Sequence, residues 1–226
     1  EYAGKLIKMI GNVEKAEESE EQDIEKHLNR FDQTQEAEHL EAAFEESLDA
    51  VKAYHAEAEL AEEAAQILDQ AAQVLEDLEK VEREEIKEVK ENEKIIKEEE
   101  SFFMKMGSGK KFMNEVEGDE KKEEGQVKKE EQQTEQLVKM SEEEVGKLEE
   151  ELNRMEKEAK RNEQDLEAIR KRYEKFPVDL GDSKFQKRLK EAEQMVEKDL
   201  NNIDKALNMV TGKVEKEEKQ AEKNAP

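Results

Sequence analysis

The sequence predicts an all-α protein, an elongated antiparallel helical bundle or coiled coil of three to four long helices. Three observations carry that prediction. Ala, Glu, Lys, Leu and Arg, all strong helix formers, supply 128 of the 226 residues. Apolar residues recur at alternating steps of three and four over long stretches, the spacing of a helix seam. Only two prolines interrupt the chain. With 46% charged residues, 4% aromatic residues and a net charge of -25, the apolar supply is too thin for a thick core. It suffices for narrow seams between helices, where about one residue in three or four points inward.

The first helix reads Ala3, Leu6, Ile10, Val13, Glu17, Glu20, Ile24, His27 and Phe31, a heptad seam with a polar middle. The polar stretch Asn29 to Gln35 is placed as a turn, with a continuous helix as the alternative. A long helix near 35–105 follows. It opens with Leu40, Phe44, Leu48 and Val51 and continues as Leu60, Ala64, Ile67, Ala71, Val74, Leu78 and Val81. Past Val81 the phase slips by one residue to Ile86, Val89 and Ile96, a shift that changes supercoiling locally. Twelve of the twenty alanines lie between Ala37 and Ala72, so helices should approach closely there.

The next helix, near 126–176, carries Val145, Leu148, Leu152, Met155, Ala159, Asn162, Leu166, Ile169, Tyr173 and Phe176. Ser141 with Glu144 reads as a capping box inside it. Pro177 ends it, because proline disfavours helix in the residue before it. A last helix near 183–220 follows a break at 177–182 and begins at a second capping box, Ser183 with Gln186. Its seam runs Phe185, Leu189, Ala192, Val196, Leu200, Ile203, Leu207, Val210 and Val214, with a stutter between Val196 and Leu200. Three segments result: acidic N-terminal helices over 1–106, a flexible Gly-containing linker over 107–125 at a hairpin tip, and a C-terminal helical hairpin over 126–226.

Charge is uneven: residues 1–104 hold 12 Lys/Arg against 32 Asp/Glu, and residues 105–226 hold 27 against 32. So acidic a surface repels phosphate and anionic lipid, which argues against nucleic acid as a partner and makes membrane contact the lesser expectation. Cysteine is absent, which excludes disulfides and thiolate chemistry. No apolar run approaches the roughly 20 residues that span a bilayer. A cytoplasmic location is favoured; an exported or membrane-anchored one follows instead if a leader preceded Glu1.

Sites for chemistry are weak, so no catalytic, cofactor-binding or metal residue is assigned and no enzyme or small-molecule substrate is expected. Glu36-x-x-His39 is half of a di-iron motif, but neither His27 nor His55 has glutamate three residues earlier. Gly107-Ser108-Gly109-Lys110-Lys111 lacks both the leading glycine and the Ser or Thr after lysine that a phosphate-binding loop needs. The conspicuous local feature is apolar. Phe102, Phe103, Met104, Met106, Phe112 and Met113 gather around Gly107 to Gly109, either as a plug at a hairpin tip or as an adaptable docking surface. These six are the candidate partner-contact residues. The leading expectation is a non-catalytic scaffold or spacer acting through protein partners or self-association. The runner-up is a membrane-associated bundle that remodels lipid or is anchored by a further segment. The third is an acidic chaperone or inhibitor of a basic protein.

Overall fold

The computed structural model describes the backbone of residues 2–103 and 109–224, with side chains except those of 14–21, 98–103, 109–115, 117, 120, 182 and 213–224. Its four helices are α1 (Tyr2–Thr34), α2 (Ala37–Phe103), α3 (Gly109–Lys175) and α4 (Asp182–Asn224), and the described residues contain no strand. The all-α helical bundle is therefore what the chain forms. It divides into two units, one of residues 1–69 with 144–226 and one of residues 70–143, so α2 and α3 each contribute to both. This division differs from the expected 1–106, 107–125 and 126–226, because the boundary cuts across two long helices rather than falling at a loop.

The first unit is an up-down-up-down four-helix bundle, with each direction fixed by paired contacts. Tyr2 bonds Glu63 and the His27 ring faces His39, so α1 and α2 run antiparallel. Phe44 meets Phe185 and His55 meets Asp199, so α2 and α4 run parallel. Arg170 pairs with Glu193 across antiparallel α3 and α4. On α1, Gly4 opens the way for α3: a Cβ there would stand 2.8 Å from Glu144 Oε1. The α3 seam from Leu148 to Tyr173 packs as its spacing predicts, with Asn162 as the polar occupant. Ala43, Ala50, Ala58, Ala61, Ala64 and Ala65 are all buried on α2, so its small residues line the core.

Several local expectations need correction. The turn placed over 29–35 contracts to Gln35 and Glu36, and Asn29 to Thr34 is helix. Phe31 anchors that last turn in the core. The chain then reverses at Gln35, in the left-handed region at φ 56°, with its N–H donating to the Phe31 carbonyl. The linker placed over 107–125 is likewise mostly helix, since α3 begins at Gly109. Ion pairs such as Lys122–Asp119 at 2.9 Å and Lys128–Glu124 at 2.6 Å support that helix. Each offsets part of the roughly 1 kcal/mol that a helical glycine such as Gly118 or Gly125 costs. Helix α3 also passes through Ser141 without starting there, and α4 starts one residue before Ser183. The cap of α4 is Gly181, at φ 66°, whose carbonyl accepts from Lys184 and Phe185 N–H while its own N–H donates to Asp179 Oδ1. Left-handed backbone at this position favours glycine.

One cross-helix ion pair makes this unit sensitive to acid. Arg172 donates from Nε to Asp32 Oδ1 at 2.8 Å and from Nη2 to Oδ2 at 2.6 Å. That fork holds the Asp32 carboxyl below its ordinary value of 3.8; partial burial opposes the shift, and the charges of Arg172 and Lys175 add to it. A folded-state pKa below the unfolded one means the contribution is full above pH 3.8 and lost as pH falls through the lowered value. Both side chains are partly exposed, so water screens the pair to about 0.5 kcal/mol. Asp32→Asn should thus differ from the parent in urea unfolding at pH 7 and converge with it at the acid end. A constant difference across pH would remove this assignment.

The second unit is an antiparallel pair of helical segments, 70–103 of α2 and 109–143 of α3. Glu82 accepts a hydrogen bond from the Thr134 hydroxyl, and residues 85–92 face 123–130. Leu75, Glu79, Glu82, Ile86, Val89, Glu93 and Ile96 are half-buried in one unbroken stripe, so the inward face of α2 does not shift after Val81; past Leu75 the apolar residues rejoin it only from Ile86 onward. The seam read through Val74, Leu78 and Val81 is not packed: these residues are 59%, 41% and 52% exposed.

Candidate functional site

Two places in the molecule depart from plain seam packing. The first is a polar layer inside the four-helix unit. Glu57 occupies an inward position on α2 and is fully buried. Arg154 on α3 reaches it, Nη2 to Oε1 at 3.6 Å, while its Nε donates to Glu151 at 2.9 Å and its Nη1 to Glu158. One turn away, Asp199 of α4 is buried and lies 2.9 Å from His55 Nδ1 through each carboxylate oxygen; the outer edge of the same ring lies 3.5 Å from Glu59. Tyr54 is enclosed among these groups. Burial pushes its hydroxyl upward, and the carboxylates of Asp199, Glu158, Glu57 and Asp204 push it the same way.

This layer explains the stutter in α4. The inward row is Val196, Asp199, Ile203, Ala206 and Val210, an unbroken heptad series, with Leu200 and Leu207 at its flank. Sequence reading passed over Asp199 because an acid at a seam position resembles a break, and its histidine lies 144 residues away. The layer is a polar lock. Its two contacts between helices, Glu57 with Arg154 and His55 with Asp199, set the register of α2 against α3 and α4, since a one-turn slip of about 5.4 Å separates both.

His39 lies beside His27 at 6.1 Å between ring centres, with Glu36 3.5 Å from its Nε2, while His55 turns toward α4. Among the described residues no group of three or more histidine and carboxylate ligands converges on one point.

The second place is the outer surface of the 70–143 unit. There the sole buried residue among those described is Thr134, and every fully buried apolar side chain described belongs to the four-helix unit. Val74, Leu78, Val81 and Ile95 on α2 and Leu137 and Met140 on α3 stand about half exposed. The six residues singled out by the sequence lie outside the described side chains. Phe102 and Phe103 close α2, Phe112 and Met113 fall in the opening turns of α3, and Met104 and Met106 lie outside the described residues. The half-exposed surface carried a readable signal, since its residues follow helical spacing.

No described helix is long and apolar enough to cross a membrane. Comparison with protein-family models, curated proteins and solved structures yields no match.

Proposed function

We propose that this chain is a non-catalytic helical scaffold that works through protein–protein contacts, with the 70–143 hairpin as its contact element. The observation that supports this reading is the contrast in burial between the two units. The four-helix unit encloses its apolar side chains around a locked register, as a rigid support requires. The hairpin encloses none among its described residues and leaves six large apolar side chains half exposed. Two helices alone cover only one side of each other, so an apolar stripe on a flank stays in water until a partner covers it. The cluster of Phe102, Phe103, Met104, Met106, Phe112 and Met113 belongs to the same hairpin and is a second candidate contact.

A photo-crosslinking amino acid placed at Leu78, with one at Lys52 on the four-helix unit as control, tests this in the cell that makes the protein. Leu78 should yield a protein adduct of defined mass that Lys52 does not. Lipid adducts alone, or no adduct at Leu78, would overturn the reading, and lipid adducts would favour the membrane-associated alternative.

A further inference from the structure

The exposed apolar residues of the hairpin share a groove with a set of uncompensated carboxylates. On α2, Val74, Leu78, Val81, Glu85, Glu88, Asn92 and Ile95 follow strictly alternating steps of four and three. On α3, Glu123, Gln126, Glu130, Gln133, Leu137 and Met140 do the same. Such steps keep residues on one straight stripe of a helix in a coiled-coil pair. Glu85, Glu88 and Asn92 line one open groove with Glu123, Gln126 and Glu130, over the half-buried Val89 and Val127. The two stripes are therefore the two banks of a single groove. It is apolar toward Val74 and Met140 and acidic from Glu85 and Glu130 to Glu123, with Ile95 at the acidic end.

Four glutamates and no lysine or arginine line the middle of this groove. Some carboxylates of the hairpin carry cations from their own helix: Glu76 with Lys80 at 3.1 Å, Glu79 with Arg83 at 3.5 Å, Glu93 with Lys97 at 3.7 Å and Glu124 with Lys128 at 2.6 Å. Among the described residues none of Glu85, Glu88, Glu123 and Glu130 has such a partner. A second copy of the chain fits poorly here. Glu85 and Glu130 sit near the groove's midpoint, so either two-fold arrangement brings them close to their own counterparts, and like charges in a contact reject a partner. An anionic membrane is repelled for the same reason.

We propose that this groove receives one amphipathic helix of a basic protein partner. Lysines or arginines of that helix lie against Glu85, Glu88, Glu123 and Glu130, and its large apolar residues cover Leu78, Val81, Leu137 and Met140. From Val74 to Ile95 the bank is about 30 Å long, enough for a helix of roughly 20 residues. The inference rests on the scaffold reading and adds the chemistry of the partner.

The test uses the full chain and a fluorescent 21-residue helix-forming peptide with leucines at heptad seam positions in one half and lysines at those positions in the other. Anisotropy should report binding that weakens with salt. Hydrogen exchange should fall over 74–95 and 123–140. Leu78→Ser with Met140→Ser, and separately Glu85→Gln with Glu88→Gln, should each weaken binding about tenfold or more. Glu41→Gln with Glu46→Gln on the four-helix unit should leave it unchanged. The altered side chains are at least partly exposed, and far-UV circular dichroism confirms that each variant folds. Equal binding by all three double variants, protection elsewhere on the chain, or equal binding of a peptide with glutamate in place of lysine would overturn the proposal. So would self-association that protects the groove without peptide. A protein adduct at Leu78 with no peptide binding would remove the basic helix and leave the scaffold reading standing; peptide binding with no adduct would do the reverse.

Discussion

Replacing Arg154 by leucine is expected to destabilise the protein by about 3 kcal/mol, the scale of breaking a buried ion pair from one side. Glu57 is fully buried, and the Arg154 guanidinium lies between it, Glu151 and Glu158. Without that guanidinium, three carboxylates share a largely dry layer beside Tyr54, and their mutual repulsion adds to the cost of keeping Glu57 from water. Glu57→Leu is expected to cost far less, because Arg154 keeps Glu151 and Glu158 while the buried charge disappears with its desolvation cost. The double variant should fall between the two. Urea unfolding of the three proteins measures the order, and equal losses from Arg154→Leu and Glu57→Leu would show that the layer is not organised around the arginine.

That layer also marks where sequence reading stops. The α3 seam from Leu148 to Tyr173 was legible because heptad spacing runs through it with one polar interruption, and a single polar residue does not disturb the pattern. Asp199 and Glu57 were not legible. An acid at an inward position is identified only by the cation or ring that faces it, and here those belong to helices far away in the chain. The turn over 29–35 was drawn too wide for a related reason. Polar residues on the solvent side of a helix look the same in sequence as residues in a loop, and the deciding residue was the buried Phe31 in their midst.

The groove was half legible. Spacing placed Val74, Leu78 and Val81 on one stripe, which is correct, and implied that the stripe was packed, which is not. Periodicity tells which residues share a face; whether another helix lies on that face depends on how many helices run alongside. The same steps continue to Glu85, Glu88 and Asn92, so the acidic part of the bank was present in the sequence as well. It read as a phase slip because the apolar residues move to the inward side there. The Phe and Met cluster at 102–113 drew the sequence reading by its local density, whereas the groove's apolar residues are spread over two helices about sixty residues apart.

Phe44→Ala is expected to cost about 4 kcal/mol, at the upper end for a core aromatic. Phe44 is 1% exposed, lies edge-on to Phe185 with ring centres 4.8 Å apart, and has the Arg188 guanidinium 5.1 Å from its ring. Phe185 in turn touches Tyr173 at 4.7 Å, so the ring of Phe44 ties α2 to a cluster shared by α3 and α4. Truncation leaves a cavity where the ring met Phe185, which raises the cost above simple transfer of the ring. Leu78→Ala removes a side chain of similar class from α2 but should change stability by less than about 0.5 kcal/mol, since much of it is already in water. Urea unfolding gives both numbers, and hydrogen exchange locates them: Phe44→Ala should speed exchange in 1–69 and 144–226, and Leu78→Ala should leave those segments alone. If the two losses were equal, Leu78 would be a packed residue after all. The groove would then be part of the protein's own core, with nothing left for a partner to cover.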